Sequence, residues 1–149
     1  MRTIITILLL SIIILSACEK ENISETAKNI KLTIDASHYF AAIETESYGD
    51  PFEIDNVLKE ENMLYIDTKY GGGCKEHSFE LIWGGDFIKT NPPSIGIVLV
   101  HGANNDMCQA YLSDKLKIDL KDLMGMNYVS ILNVIVINGY NKESYNTKK

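Results

Sequence analysis

The sequence HSFELIWGGDFIKTNPPSIGIVLVH, residues 77–101, contains two apolar runs separated by a loop of glycine, asparagine and proline. In the first run every second residue up to Trp83 is apolar, and the second run has the same pattern from Ile95 onward. Matching the inward faces of two neighbouring strands fixes their register. Antiparallel pairing of Trp83 with Ile95 brings His77 opposite His101, at about 4.5–5.5 Å between Cβ atoms. We therefore predict a hairpin with both histidines at one end.

The same alternation extends through most of the chain and predicts an all-β protein. Runs of four to ten residues with β-type patterning recur between clusters of Gly, Asn, Asp and Pro. We expect an antiparallel immunoglobulin-like β-sandwich of about seven strands, with the last strand central because it is apolar on both faces. At 115–120 we expect a strand, followed at most by a helical turn at 121–125. The predicted strands fall near 31–35, 52–55, 64–68, 79–83, 94–101, 115–120 and 128–137.

The first seventeen residues have the order of an export signal. A basic start precedes an apolar run at 4–14, which is shorter than the roughly 20 residues needed to span a bilayer. The sequence LSAC at 15–18 closely resembles the lipobox of bacterial lipoproteins, in which the cysteine is lipidated and the peptide is cut before it. An uncleaved membrane anchor is the alternative. The resemblance implies that Cys18 carries the lipid and that the protein is held in the cell envelope.

The resulting domain organisation has four parts. The polar stretch after Cys18 is typical of a tether, and the polar C-terminal stretch is typical of a fraying end. The parts are a lipoprotein signal peptide at 1–17, the lipidated cysteine with a flexible tether at 18–27, the β-sandwich domain at 28–140, and a disordered tail at 141–149.

The charge balance narrows the choice of partners. The chain has 14 Lys and Arg against 20 Asp and Glu, with a formal net charge of −6. Its one arginine, Arg2, lies in the predicted signal peptide. Nucleic-acid binding requires clustered basic residues, so we expect no nucleic-acid partner. The expected partners are the membrane, through the N-terminal lipid, and an envelope protein or a small ligand.

The two remaining cysteines fall at the same end of the predicted hairpin as the histidines. Cys74 precedes His77 by three residues, and Cys108 follows His101 by seven. An oxidising compartment favours a Cys74–Cys108 disulfide. The same residues also match a Cys2His2 zinc composition, and Cys74 with a histidine base would be a thiol nucleophile. The preceding triple glycine, residues 71–73, permits positive φ or an anion-binding nest of backbone N–H groups.

The histidines themselves have two interpretations. In one they cap the apolar interior, with hydrogen bonds to backbone carbonyls or to Asp106. In the other, His77, His101 and Asp106 form a two-histidine, one-carboxylate set for a divalent metal or a small polar pocket. His38 falls in a predicted loop and reads as an ordinary rim residue.

The block GGGCKEHSFELIW at 71–83, followed by His101 and Asp106-x-Cys108, resembles small bacterial lipoproteins of uncharacterised function. Those proteins carry a Gly-Gly-x-Cys-x-x-His-x-Phe-x-Leu block with a downstream His and Asp-x-Cys. The resemblance covers residues 64–120. It implies a β-rich extracytoplasmic domain in which the cysteines, histidines and aspartate belong together, and it implies no activity.

Three functions follow from these patterns. The first is a lipid-anchored envelope module that binds or presents something without catalysis and without a cofactor. The second is a protein that binds a divalent metal or small ligand through His77 and His101. The third is a thiol/His hydrolase. Elemental analysis of protein purified without chelator distinguishes the second from the first.

Overall fold

The computed structural model describes residues 30–147, so the predicted signal peptide, Cys18 and the tether lie outside the described residues. Between 30 and 147 no helix has the length and apolar character to span a membrane. Eight strands and two α-helices occur in this range. They are β1 (Ile30–Ile34), α1 (Ala36–Glu44), β2 (Glu53–Glu60), β3 (Met63–Gly72), β4 (Ser78–Trp83), β5 (Ser94–Gly102), β6 (Ala110–Asp119), α2 (Leu120–Met124), β7 (Asn133–Asn138) and β8 (Ser144–Asn146). A 3₁₀ turn, Gly125–Asn127, follows α2.

The strands form two sheets, as a sandwich requires, but one sheet is mixed. The five-stranded sheet has the order β1-β4-β5-β7-β8, and the three-stranded sheet has the order β2-β3-β6. The β1/β4 and β5/β7 pairs are parallel, so the predicted purely antiparallel, immunoglobulin-like arrangement is wrong for these pairs. Parallel neighbours need a long crossover, and the chain supplies one each time by passing through the three-stranded sheet before it returns.

The β4/β5 hairpin is present with a register that differs from the predicted one by two residues. Trp83 lies opposite Ile97 and Phe79 lies opposite His101. The pairing of β5 with β4 therefore begins at Ile97, two residues later than predicted. Ser94, at the start of β5, forms a bridge with Ile88 of the loop. A shift of two residues keeps every side chain on the same face, so the apolar faces still match and the histidines remain at one end.

The strand in the middle of the five-stranded sheet is β5, not the last strand. Its first six residues, SIGIVL, are all buried, because both of its faces are covered. The strand predicted at 128–137 is shorter and alternates in burial along β7. Part of the predicted disordered tail is also ordered, because residues 144–146 pair with β7 as β8.

One face of the five-stranded sheet packs against the three-stranded sheet to form the main core, and α1 covers the other face. The sequence prediction missed α1. Asp35 caps its N-terminus by accepting a hydrogen bond from the backbone N–H of His38 at 2.6 Å. Ala42 packs with Ile82 and Val98 beneath the helix. An aspartate followed by apolar residues at helical spacing was the signal that could have revealed it.

Candidate functional site: the stapled histidine end

A disulfide joins Cys74 to Cys108, with 5.9 Å between their Cα atoms, and confirms the predicted bridge. It links the segment after β3 to the loop between β5 and β6. Because both sulfurs are bonded to each other, neither is a thiolate. The thiolate-zinc and thiol-nucleophile interpretations are therefore wrong for this structure.

The carboxylate of Asp106 fills the anion-binding nest that the glycine run creates. Its Oδ2 accepts hydrogen bonds from the backbone N–H groups of Gly73, Cys74 and Lys75 at 2.8–2.9 Å. Its Oδ1 accepts one from Cys108 at 2.9 Å. These donors, that of Cys108 first, hold the pKa of Asp106 well below its ordinary range. The nest therefore binds an anion that belongs to the chain itself.

Gly72 and Gly73 are required by this geometry for different reasons. Both have positive φ, +152° and +116°. A Cβ on Gly72 would lie 2.4 Å from Nε2 of His77, so the histidine ring packs directly on the glycine. This close approach explains the glycine at 72, whereas at 73 the positive φ explains it, together with a Cβ that would lie 3.0 Å from that of Ala110.

The imidazoles of His77 and His101 stack with centroids 5.0 Å apart, so the structure brings these two predicted residues and Asp106 together. His77 Nδ1 and His101 Nε2 are 2.9 Å apart. His77 Nε2 lies 3.1 Å from Asp106 Oδ2, and His101 Nδ1 lies 3.1 Å from the carbonyl oxygen of Pro51. All four ring nitrogens therefore have partners within the chain. The histidines cap the interior, as the first interpretation expected.

The hydrogen-bond partners determine where the protons sit. The Pro51 carbonyl can only accept, so His101 Nδ1 carries a proton and donates it. One hydrogen bond joins His77 Nδ1 to His101 Nε2, and its direction depends on the tautomers of the two rings. The Asp106 carboxylate is likewise an acceptor, which His77 satisfies by donating from Nε2.

A metal shared by the three residues would require a different geometry. His77 presents Nδ1 to His101 and Nε2 to Asp106. The two nitrogens of one imidazole point in different directions, so the three donor atoms do not converge on one point. A common ion would require the ring of His77 to turn away from one partner.

Burial lowers the pKa of His101, and the neighbouring His77 lowers it further. The ring is 1% exposed. Aromatic rings surround it, with Tyr70 and Phe79 centred 4.7 and 5.0 Å from its centroid. The neutral form of His101 is therefore favoured in this apolar setting.

His38 lies on α1, not in the predicted loop, and belongs to a separate cluster on the outer face of the five-stranded sheet. Its Nε2 is 2.7 Å from the hydroxyl of Tyr48, and its Nδ1 is 4.0 Å from Glu80. Glu80 also accepts hydrogen bonds from Lys31 and Thr33. The cluster ties β1 and α1 to β4.

Sequence reasoning missed an open groove of about 280 Å³ beside the histidine pair. It lies at the end of the three-stranded sheet and extends to the turn between β7 and β8. Gly71 lines the groove. It precedes Gly72, against which the ring of His77 packs. The aromatic and polar residues that line it include Glu53, Lys69, Tyr70, Tyr111, Tyr140 and Asn141.

No protein-family model matches the chain. No curated protein matches it either. Solved structures share its fold at low sequence identity. A protein of unknown function, DUF1344, from Bacteroides vulgatus has a TM-score of 0.52 and 10% identity, and the alignment covers 82% of this chain and 57% of that one. A NigD-like immunity protein from Bacteroides caccae has a TM-score of 0.50, 15% identity and coverages of 79% and 58%.

A protein named as toxin-related, from Parabacteroides distasonis, has a TM-score of 0.51 and 21% identity, with coverages of 80% and 61%. The chain thus spans about three fifths of the length of these structures. At these identities the likeness is one of fold.

Proposed function

We propose that the protein is a lipid-anchored envelope module that binds a ligand or partner without transforming it. The export signal and the LSAC sequence ending at Cys18 support the anchor. In this proposal the acyl chains hold the protein at the membrane, since the acidic chain offers no basic surface to anionic lipids. The rigid β-sandwich then presents its surface at a distance set by the tether.

The observation that carries the binding role is that the chemistry-bearing side chains at the histidine end are engaged with one another. Cys74 and Cys108 form the disulfide, and Asp106 occupies its own nest. The ring nitrogens of His77 and His101 complete the hydrogen-bonded chain. A set arranged this way stabilises one end of the fold, which suits a rigid platform for binding.

The names of two structural neighbours agree with a binding role. One is called a NigD-like immunity protein and another is called toxin-related. Fold alone does not assign function, and these names enter only as support for a module that acts by binding. Neutralisation of an envelope-attacking protein would be one form of that role.

The anchor is tested by replacing Cys18. We expect Cys18→Ser to leave an unprocessed precursor that incorporates no labelled fatty acid. Cys74→Ser is the matched control, because it removes a cysteine in the folded domain and leaves the proposed lipid site intact. Normal processing and membrane attachment of the Cys18 variant would refute the anchor.

The alternative function, metal binding through His77, His101 and Asp106, rests on their proximity in the structure. Elemental analysis of protein purified without chelator and without a His-tag decides between the two. We expect no stoichiometric metal. One equivalent of metal that is lost in His77→Gln would show that metal binding, and not the proposed binding module, is the function.

A further inference from the structure

One of the residues that line the groove beside the histidine end, Gly71, has no side chain. Gly71 lies on β3 opposite Tyr111 of β6, on the solvent-facing side of the three-stranded sheet. Unlike its two glycine neighbours, it has no positive φ. A Cβ at this position would meet nothing within 4 Å. Neither backbone conformation nor packing requires a glycine here, and its effect is to leave the floor of the groove open.

Three tyrosines, Tyr70, Tyr111 and Tyr140, line the groove together with Gly71. Tyr111 is 67% exposed and lies opposite Gly71 on the neighbouring strand. Its hydroxyl donates a hydrogen bond to Oε2 of Glu53 at 3.0 Å, across the width of the sheet. The contact holds an exposed aromatic side chain in place, which lowers the entropy that a ligand would have to remove on binding. Tyr140, from the β7–β8 turn, also lines the groove.

Polar groups surround the aromatic surface. Glu53, Lys69 and Asn141 line the groove, and Lys69 is paired with Asp55 at 3.0 Å. Glu53 and Lys69 are the only charged residues among those that line the groove, so its lining has no net charge. A lining without net charge favours a neutral ligand, and hydroxyl groups on that ligand could hydrogen-bond to the carboxylate, ammonium and amide together.

We propose that the groove over Gly71 binds a neutral saccharide, with one hexopyranose ring lying over the glycine against Tyr111. A pyranose ring has an apolar face of C–H groups, which packs on an aromatic ring, and a rim of hydroxyls, which matches Glu53 and Asn141. A shallow, open groove of mixed polarity fits such a ligand better than it fits a wholly apolar one. The inference rests on the proposed binding role and names the class of its ligand.

Saturation-transfer difference NMR tests the groove with maltotriose, cellotriose and chitotriose as probes. The protein is the full chain purified in a detergent without a sugar head group. We expect saturation to reach ring C–H hydrogens of at least one trisaccharide, with millimolar affinity. Gly71→Val should abolish the transfer by filling the floor, without a lower Tm because valine favours a strand. Tyr111→Ala should weaken binding at least tenfold.

Tyr65→Ala is the matched control, because Tyr65 also lies on β3 and is not among the residues that line the groove. It should leave the saturation transfer unchanged. Absence of transfer to all three trisaccharides, or equal transfer in Gly71→Val, would overturn the saccharide site. Binding accompanied by cleavage of the trisaccharide would support the groove and refute the non-catalytic role. A protein found without membrane attachment would refute the lipid anchor and would leave the saccharide site unaffected.

Discussion

At the scale of residues, three consecutive glycines have three different surroundings. Gly73 donates its backbone N–H to Asp106 from a left-handed conformation, Gly72 receives the ring of His77, and Gly71 leaves open space in a groove. The sequence predicted positive φ and an anion nest for this run. It could not predict that the anion would be Asp106, because that residue lies more than thirty positions away.

Adjacent alanine substitutions separate these requirements. Gly72→Ala should lower the free energy of unfolding by about 2–4 kcal/mol, because the new Cβ clashes with His77 and the backbone is strained. Gly71→Ala should change it by less than about 0.5 kcal/mol, since nothing lies in the way. Urea unfolding of both variants measures the difference. Equal losses at the two positions would contradict the close approach of His77 to Gly72.

The grouping of the histidines was predictable from alternation although the register was not. An error of two residues leaves the inward face unchanged, so His77 still meets His101. The direction of the protons depends on the Pro51 carbonyl and on Asp106. Both come from other segments of the chain, and no pattern in the hairpin indicates them.

At the scale of elements, the loop between β5 and β6 is fixed at three points. The disulfide holds Cys108 and the nest holds Asp106. The Nζ of Lys75 donates to the carbonyls of Asn104 and Asn105 at 3.0 and 2.9 Å. The disulfide was predictable because two cysteines remain once Cys18 is assigned to the expected lipid. The helix α1 was missed because a strand pattern dominates on both sides and only Ala42 of the helix is buried.

Removal of the disulfide should loosen this loop as a unit. We expect Cys74→Ala/Cys108→Ala to lower the free energy of unfolding by roughly 3 kcal/mol in the chain-entropy model. Amide exchange at residues 73–75 should accelerate, because the nest loses its nearest restraint. Dithiothreitol should reproduce both effects in the wild type and have none on the variant. Unchanged exchange at these amides would show that Asp106 alone fixes the loop.

At the scale of the whole molecule, the two sheets form a sandwich and α1 forms a third layer. Alternation predicted the sandwich because it reports which residues face a core. It does not report strand direction, since parallel and antiparallel strands alternate alike. The parallel pairs and the central place of β5 therefore emerge only from the path of the chain.

The buried network should make the fold sensitive to acid. Because the pKa of His101 is lowered in the folded state, its contribution to stability is present above about pH 6.5 and is lost as the pH falls. The slope for this one proton is at most about 1.4 kcal/mol per pH unit. The lowered pKa of Asp106 adds a further loss below about pH 4.

Urea unfolding between pH 8 and pH 3 measures this dependence. His101→Gln should reduce the fall in the free energy of unfolding that begins near about pH 6.5. His38→Gln should leave that fall in place. An NMR titration of the imidazole resonances should give His101 a midpoint below about 6.5. A midpoint at or above that value would contradict the neutral, buried state of this ring.

The direction of β1 also has a mechanical consequence. The chain enters β1 at Ile30, beside Phe79 at the histidine end, and leaves β8 at Asn146 toward the opposite end. A pull between an N-terminal tether and the far end of the domain would therefore act along the strands. The hydrogen bonds between β1 and β4 would be loaded together in shear, and would not be peeled apart one by one. A domain built this way resists force best along the direction of its strands.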